Sequence, residues 1–501
     1  MSLNPFAGLE KPREVFAWGL YDLANQSFTL LIITLLFSLY VQQVVTPRPE
    51  LTPAQAEAIA LIEAGDAVPS AEIQPVIAAL DAADQQGKWN WSLMHGASLL
   101  IVVVASPIVG ALGDARGCRK QLLMGTGVAC ALLTCGLGLV GPGMVLLAAL
   151  IYIPANVCYQ VGENFLASFL PDVSTPQTLG RVSATGWTMG YIGALLLLVL
   201  SLAFMLVLGW KEPANWRPFF IFAGLWFLIG IIPTQLVLKD DDPLPEARNQ
   251  SLVAQSFGRL IETAKQAGNY KEVVKFLTAF LVYGFGVQVI VGFASIIAGG
   301  FGFADTDLVI FVAQITVMAG IAAALTARFQ DRYGAKATVL FYLVIWLASS
   351  LALVATKAIW PNGGPQWPLW VIGNGLGIGL GGIGTASRSL LAKFAPHHRR
   401  AEFFGLWGMT YKLAAALGVL SFGTVARIFG ELASLGLLAS FFVFGIVLML
   451  RVNEVAGMCA ARRFERREGG SPRRGAALSS GDVSPGDATT GAGLPTQDNH
   501  P

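Results

Sequence analysis

The sequence predicts an all-α membrane protein in which twelve transmembrane helices form two pseudo-symmetric six-helix bundles. Three observations carry that expectation: a strongly apolar composition, twelve segments long enough to cross a bilayer, and self-similarity between the two halves of the chain.

Composition comes first. Of 501 residues 54% are hydrophobic and only 13% charged, against about 25% charged in an average soluble domain. Apolar segments this long and this free of charge need lipid as solvent. The net charge of +2 leaves no nucleic-acid footprint. Five scattered cysteines, Cys118, Cys130, Cys135, Cys158 and Cys459, without a C-x-x-C pair or clustered histidines, suggest neither a disulfide framework nor a zinc site. The N-terminus lacks a short apolar core followed by a small-residue cleavage site, so no removable signal peptide is expected.

A bilayer core takes about 20 apolar residues as helix. In the first half such segments lie near 15–45, 91–113, 119–140, 143–168, 182–208 and 218–238; in the second, near 272–298, 307–327, 337–357, 368–392, 404–427 and 432–451. An even number of spans puts both termini on one face, and 26 of the 33 basic residues fall on that face. By the positive-inside rule the termini are cytoplasmic, in a cell (inner) membrane protein.

Four regions follow from these limits. Residues 1–238 form the N-terminal bundle, carrying an acidic extracytoplasmic insertion at 46–90. There Thr52-Pro53-Ala54-Gln55 reads as a capping box, opening a helix that closes at Gly65. A second short helix is expected from about Ala71 to Gln86. Residues 239–271 form a cytoplasmic linker with an amphipathic helix, whose apolar face carries Val253, Phe257, Leu260, Ile261 and Ala264. Residues 272–455 form the C-terminal bundle. From 456 to 501 a tail opens with the basic run Arg462, Arg463, Arg466 and Arg467 and then turns Gly/Ser/Pro/Thr-rich, a composition that predicts disorder.

The internal repeat has two landmarks. GALGDARGCRK follows span two and ARFQDRYGAKA follows span eight, aligning Asp114 and Gly117 with Asp331 and Gly334 at an offset of 217 residues. Pro171, Gly180 and Gly193 recur as Pro396, Gly405 and Gly418 at an offset of 225. Each Asp-Gly loop reads as a tight turn, with the Asp accepting from amides at a helix start and the Gly taking a positive φ. Basic neighbours, Arg119 and Lys120 in one copy and Arg332 and Lys336 in the other, hold it at the lipid surface. The loops serve either as topological anchors or as cytoplasmic gate latches.

These loops resemble the signature G-x-x-x-D-R-x-G-R-[RK] of the major facilitator superfamily, with Ala115, Cys118, Ala327 and Ala335 as departures. WGLYDLANQSF in span one, FLPDVSTPQTLGRVSATGWTMGYIGALLLL into span five and GLGGIGTASRSLLAKFAPHHRRAEFFGLWGMTYKLAAALG across spans ten and eleven are similar to the branch of fungal autophagy-related vacuolar amino-acid effluxers and their bacterial relatives. The resemblance implies the major facilitator fold, a cavity lined by spans one, four, seven and ten, and, from the fungal members, amino-acid efflux.

A charge at mid-membrane costs on the order of 2.5–3.5 kcal/mol, so ionisable residues there face the bundle interior. In span one Trp18, Asp22, Asn25, Gln26 and Thr29 share a helical face. Asn156, Tyr159, Gln160, Glu163 and Asn164 do the same in span four. Tyr283 and Gln288 answer from span seven, Ser387, Arg388 and Ser389 from span ten, and Trp407, Tyr411 and Lys412 from span eleven. Two readings of Asp22 and Glu163 stay open: carboxyls that bind a proton on one side and release it on the other, or partners of Lys412 or Arg388 in a buried ion pair. The glycine run from Gly373 to Gly384 lacks a following G-K-[ST] and sits in a span, so tight helix packing is expected there. Trp89, Trp91, Trp210, Trp216, Trp367 and Trp370 read as an interfacial belt.

No nucleophile–base pair, metal cluster or nucleotide loop is present in the pattern, so neither enzymatic activity nor a cofactor is expected. The expectation is a monomeric secondary transporter that exposes a small solute to each side of the bilayer in turn. Two alternatives remain: export of a drug-like amphiphile, and a non-transporting membrane sensor or scaffold.

Overall fold

The computed structural model describes residues 9–63, 69–116, 118–170, 172–175, 178–239, 271–303, 305–361, 364–395 and 400–469. Among them lie twelve helices long and apolar enough to cross a membrane, eleven within a few residues of the expected place and the second starting well before it. Among the described residues no strand occurs. The amphipathic helix expected in the linker falls outside them.

The packing repeats with a shift of six. In the first half span one packs on five and six, two on four, and three on four and six; in the second, seven packs on eleven and twelve, eight on ten, and nine on ten and twelve. Each contact of the first bundle therefore has its counterpart in the second. Between the bundles, span two meets eleven, span five meets eight, and the far half of span one meets seven, pairs that a twofold pseudo-axis exchanges.

Span one (Pro12–Val45) and span seven (Lys271–Gly299) are 78% and 72% buried, against 33% for spans four and six; they form the heart of each bundle rather than its lipid face. Pro12 opens span one at a position where its missing N–H costs nothing. Beyond Gln26 the helix widens into π-helical turns over Ser27–Leu35 and Val41–Val45, a local geometry common at functional sites. In span six the helix breaks at Ile231, ahead of Pro233.

Span ten (Trp367–Phe394) fulfils the expectation of close packing. A Cβ on Gly373 would stand 2.5 Å from the Phe311 ring, one on Gly377 2.7 Å from the Ile315 carbonyl oxygen, and one on Gly381 1.9 Å from that of Ala319. All three neighbours belong to span eight (Thr306–Thr326). Three glycines at i, i+4, i+8 thus bring two backbones together.

Two helices correct the sequence reading. The expected short helix at 71–86 is the beginning of span two: one helix of 43 residues runs from Gln74 to Arg116, about 65 Å at 1.5 Å per residue. Between Pro75 and Pro107 no proline or paired glycine interrupts it. Gly87, the residue nearest the expected break, is instead where the helix crosses span one, since a Cβ there would lie 2.7 Å from the Gln42 Cα. The capping box of the insertion forms as expected, while the expected helix end at Gly65 lies outside the described residues. Thr52 and Gln55 exchange hydrogen bonds in a capping box at the start of helix Pro53–Glu63, and Arg48 pairs with Asp84. The second correction concerns the tail: residues expected to be disordered from 456 onward begin as helix Glu454–Gly469. That helix docks under the C-terminal bundle, with Gly457 against the Phe394 ring. Residues 470–501 lie outside the description.

Glu454 explains the docking. Its carboxylate accepts from the Lys336 amide at 2.9 Å, the Ala335 amide at 3.3 Å and Lys393 Nζ at 2.8 Å. It occupies the N-terminus of span nine, where free amides and the helix dipole favour an anion. Burial alone raises the carboxyl, but the hydrogen bonds from Lys393 and the span-nine amides outweigh it and hold Glu454 below the ordinary glutamate value. A group held low stabilises the fold above its unfolded value and loses that contribution as pH falls through the folded one. We predict that Glu454→Gln lowers stability by about 1–2 kcal/mol at pH 7, and that the Tm gap to wild type closes below about pH 4. Thermal unfolding of the solubilised proteins across pH checks this; a gap independent of pH would contradict it.

Candidate functional site

The polar stripes of spans one and four face each other. Asn25 Nδ2 donates to the Glu163 carboxylate, Gln26 Nε2 to Asn25 Oδ1 at 3.3 Å, and Thr29 Oγ1 to Tyr159 Oη at 2.6 Å. Asp22 lies beside span five (Thr185–Val207), where a Cβ on Gly190 would stand 3.1 Å from its Oδ2; the glycine leaves room for the carboxylate. Asp22 and Glu163 are near enough to interact electrostatically. Trp18 fixes the turn below through its Nε1 bond to the Leu166 carbonyl, 2.8 Å.

The second bundle presents two cations to this acidic face, in different ways. Lys412 Nζ, from span eleven, crosses to Asn164 Oδ1 at 2.6 Å and Ser106 Oγ at 3.1 Å. Arg388, from span ten, has its guanidinium over the rings of Trp187 of span five, 4.9 Å, and Trp407 of span eleven, 5.3 Å. Neither cation forms a salt bridge to Asp22 or Glu163. The direct ion pair, one of the two readings of these acids, is therefore not formed here. Lys412 acts on Glu163 only at longer range.

Four expected residues stand apart from the cluster. Tyr283 bonds Ser387 Oγ at 2.8 Å inside its own bundle. Gln288 is buried with its Nε2 unpaired. Asn156, at the far end of the span-four stripe, donates to Ser98 Oγ at 2.6 Å, and Gln160 is half-buried. The stripe of span four is divided because that helix packs mainly on span two and only lightly on span one.

At the loops, Gly334 has φ +89°, as an Asp-Gly turn requires. Lys336 donates its Nζ to the Leu450 carbonyl, 3.0 Å, and Arg332 stacks on Tyr333. In the first copy Arg119 bonds Asp172 Oδ2 at 2.8 Å and stacks on Phe169; Lys120 begins the same helix. Gly117 and the side chains of Asp114 and Asp331 lie outside the described residues.

The sequence reading missed the opposite face of the bundle, which carries the insertion. Glu431, at the start of span twelve, takes Lys88 of span two at 3.2 Å and Lys357 of span nine at 3.0 Å. Ser38 and Ser295 bond at 2.9 Å between spans one and seven. Ser92 Oγ reaches the Val419 carbonyl at 2.6 Å. Trp91, expected in the interfacial belt, is fully buried instead. Its Nε1 donates to the Gly292 carbonyl at 2.7 Å, and its ring stacks on His95, which bonds Tyr152. Trp216 is likewise buried. Both tryptophans start apolar spans, so composition alone could not separate a belt from a seam; Lys88, charged and three residues before Trp91, was the available signal.

The seam is thus sealed on the insertion face by contacts that reach backbone carbonyls. On the face carrying the termini, long cationic side chains bridge it. Two bundles related by pseudo-symmetry, with Asp22, Glu163, Arg388 and Lys412 gathered beside their seam, have the architecture of a membrane transporter of the major facilitator class. The chain belongs to the family described as "Vacuole effluxer Atg22 like", which matches residues 10–462. It is similar to the MFS-type transporter YxiO of Bacillus subtilis, 24% identical over 87% of this chain and 94% of the relative. It is also similar to autophagy-related protein 22 of Kluyveromyces lactis, 25% identical over 67% of this chain and 73% of that protein. In fold it matches a crystal structure of a D-xylose-proton symporter at TM-score 0.62 and 14% identity, over 89% of this chain and 98% of the other. The nucleoside transporter NupG matches at 0.58 and 13%, over 89% and 98%.

Lys88 has a side chain only 9% exposed and leans on Glu431. Removing one partner of such a pair strands the other charge, at about 3–5 kcal/mol. Glu431→Gln is expected to lower Tm by more than Lys357→Met does, because it strands two lysines and the latter none. Equal Tm values for Glu431→Gln and wild type would show that the seam does not depend on this cluster.

Proposed function

We propose that the protein is an efflux carrier for a small polar solute, an amino acid first, in which rocking of the two bundles is coupled to protonation of the Asp22–Glu163 pair. The observation that carries this reading is the division of charge across the seam, with carboxyls on the first bundle and cations on the second. When the bundles part on the face of the termini, Lys412 leaves Asn164 and Ser106 and its distance from Glu163 grows. The proton affinity of Glu163 then differs between the two states, which is the requirement for coupling. The excess of Lys and Arg on the face of the termini supports cytoplasmic termini and a cell-membrane location. One chain supplies both walls of the site, which supports a functional monomer. Efflux of a drug-like amphiphile is the second reading, favoured by the rings of Trp187, Trp407 and Tyr411 beside the site.

The test uses purified protein in liposomes preloaded with a radiolabelled amino-acid mixture. Flux driven by an imposed pH gradient is expected to fall at least about tenfold in Glu163→Gln and in Asp22→Asn, with counterflow at equal pH kept within about threefold. Gradient-driven flux that survives both substitutions would exclude coupling at this pair, and the absence of flux in wild type for every solute class would favour a sensor or scaffold.

A further inference from the structure

We propose that Arg388, clamped between the indoles of Trp187 and Trp407, is the residue that recognises an anionic head group, a carboxylate, on the transported solute. The proposal rests on the transport reading above and adds the residue that reads the cargo's carboxylate.

The argument begins with an unanswered charge. Arg388 lies six residues inside the end of span ten, about 9 Å along the helix. Among the described residues no oxygen accepts from its guanidinium and no carboxylate lies within salt-bridge distance; two aromatic rings are its contacts. A cation–π contact is worth about 0.5–2 kcal/mol, and an arginine at membrane depth costs on the order of 2.5–3.5 kcal/mol even on the mildest scale. Arg388 is an exposed residue despite its depth, so the edge of its guanidinium can be reached.

Its surroundings are those of a binding site rather than of a packed pair. Each bundle contributes two rings one helical turn apart: Trp187 and Tyr191, 6.4 Å between centroids, and Trp407 and Tyr411, 6.0 Å. Trp187 and Tyr411 are 50% and 42% exposed, so the frame is open. The Trp407 indole N–H is a second donor without an acceptor. Stacking covers the faces of a guanidinium and leaves its edge, where the N–H donors point, free for a planar two-oxygen ligand.

The contrast with Lys412 sharpens the assignment. That ammonium is committed to Asn164 and Ser106, while Arg388 is committed to no acceptor. Asp22 and Glu163 stand on the opposite wall, engaged by Asn25 and the span-five backbone approach rather than by Arg388. Because Trp187 belongs to one bundle and Arg388 to the other, a carboxylate seated on the guanidinium edge would sit at the seam itself.

The experiment is a binding titration, followed by tryptophan fluorescence, on the full-length protein in lipid nanodiscs. The probes are the twenty common L-amino acids, and for each that binds, its primary amide and its decarboxylated amine. In wild type the acid is expected to bind at least about tenfold more tightly than its amide or amine. Arg388→Gln should erase that preference, and Arg388→Lys, which keeps the charge and loses the planar fork, should retain part of it. Gel filtration and Tm establish that each variant is folded. Equal affinity for acid and amide in wild type, an unchanged preference in Arg388→Gln, or no saturable binding of any acid overturns the proposal. Flux without preference for a carboxylate would defeat this assignment and leave transport standing, whereas carboxylate binding without flux would defeat transport and leave the assignment.

Discussion

Hydrocarbon offers no hydrogen-bond partner and little tolerance for charge, and that single constraint arranges this molecule. Among the described residues Asp22, Glu163, Arg388, Lys412 and His95, set deep in the spans, lie where the two bundles meet or beside it. The outward faces of the bundles are left to leucine, isoleucine, valine and phenylalanine. The seam is therefore at once the polar interior and the moving part. Because side chains at the seam must be satisfied in more than one arrangement, they are long, aromatic or small, and their bonds are few.

The two ends of the seam are built from different material. On the insertion face, hydroxyl and indole donors of Ser92 and Trp91 reach backbone carbonyls of spans eleven and seven, and Glu431 gathers two lysines from different helices. Backbone contacts of that kind demand close approach and break together. On the face of the termini, Lys412 and Arg388 bridge with flexible stems that can let go singly. The first end is a closed seal and the second a set of releasable ties, the asymmetry expected of a carrier caught with one side shut.

Much of this was legible in the sequence, and the failures have physical causes. Span positions and the repeat could be read because lipid imposes length and apolarity residue by residue. Asn25, Glu163, Lys412 and Arg388 stood out for the same reason: few polar residues occur in the spans, so each is visible. What could not be read was pairing. Helical spacing places Asn156 and Glu163 on one stripe, yet Asn156 meets Ser98 of span two and Glu163 meets Asn25 of span one, because span four packs mainly on span two and only lightly on span one. Trp91 was misplaced because a tryptophan at a span end suits an interface as well as a seam. The helix from Glu454 was missed since its basic, weakly apolar sequence forms a docked helix only through the anion site at span nine.

The central claim is that the seam on the insertion face must open and close in every transport cycle. Ser38 and Ser295 meet across it at 2.9 Å, which places paired cysteines there within reach of a disulfide. In a background freed of the five native cysteines, Ser38→Cys with Ser295→Cys should cross-link on mild oxidation and abolish solute flux in liposomes, with recovery on reduction. Full flux through the cross-linked protein would mean that the bundles do not part there, and the alternating account would be wrong.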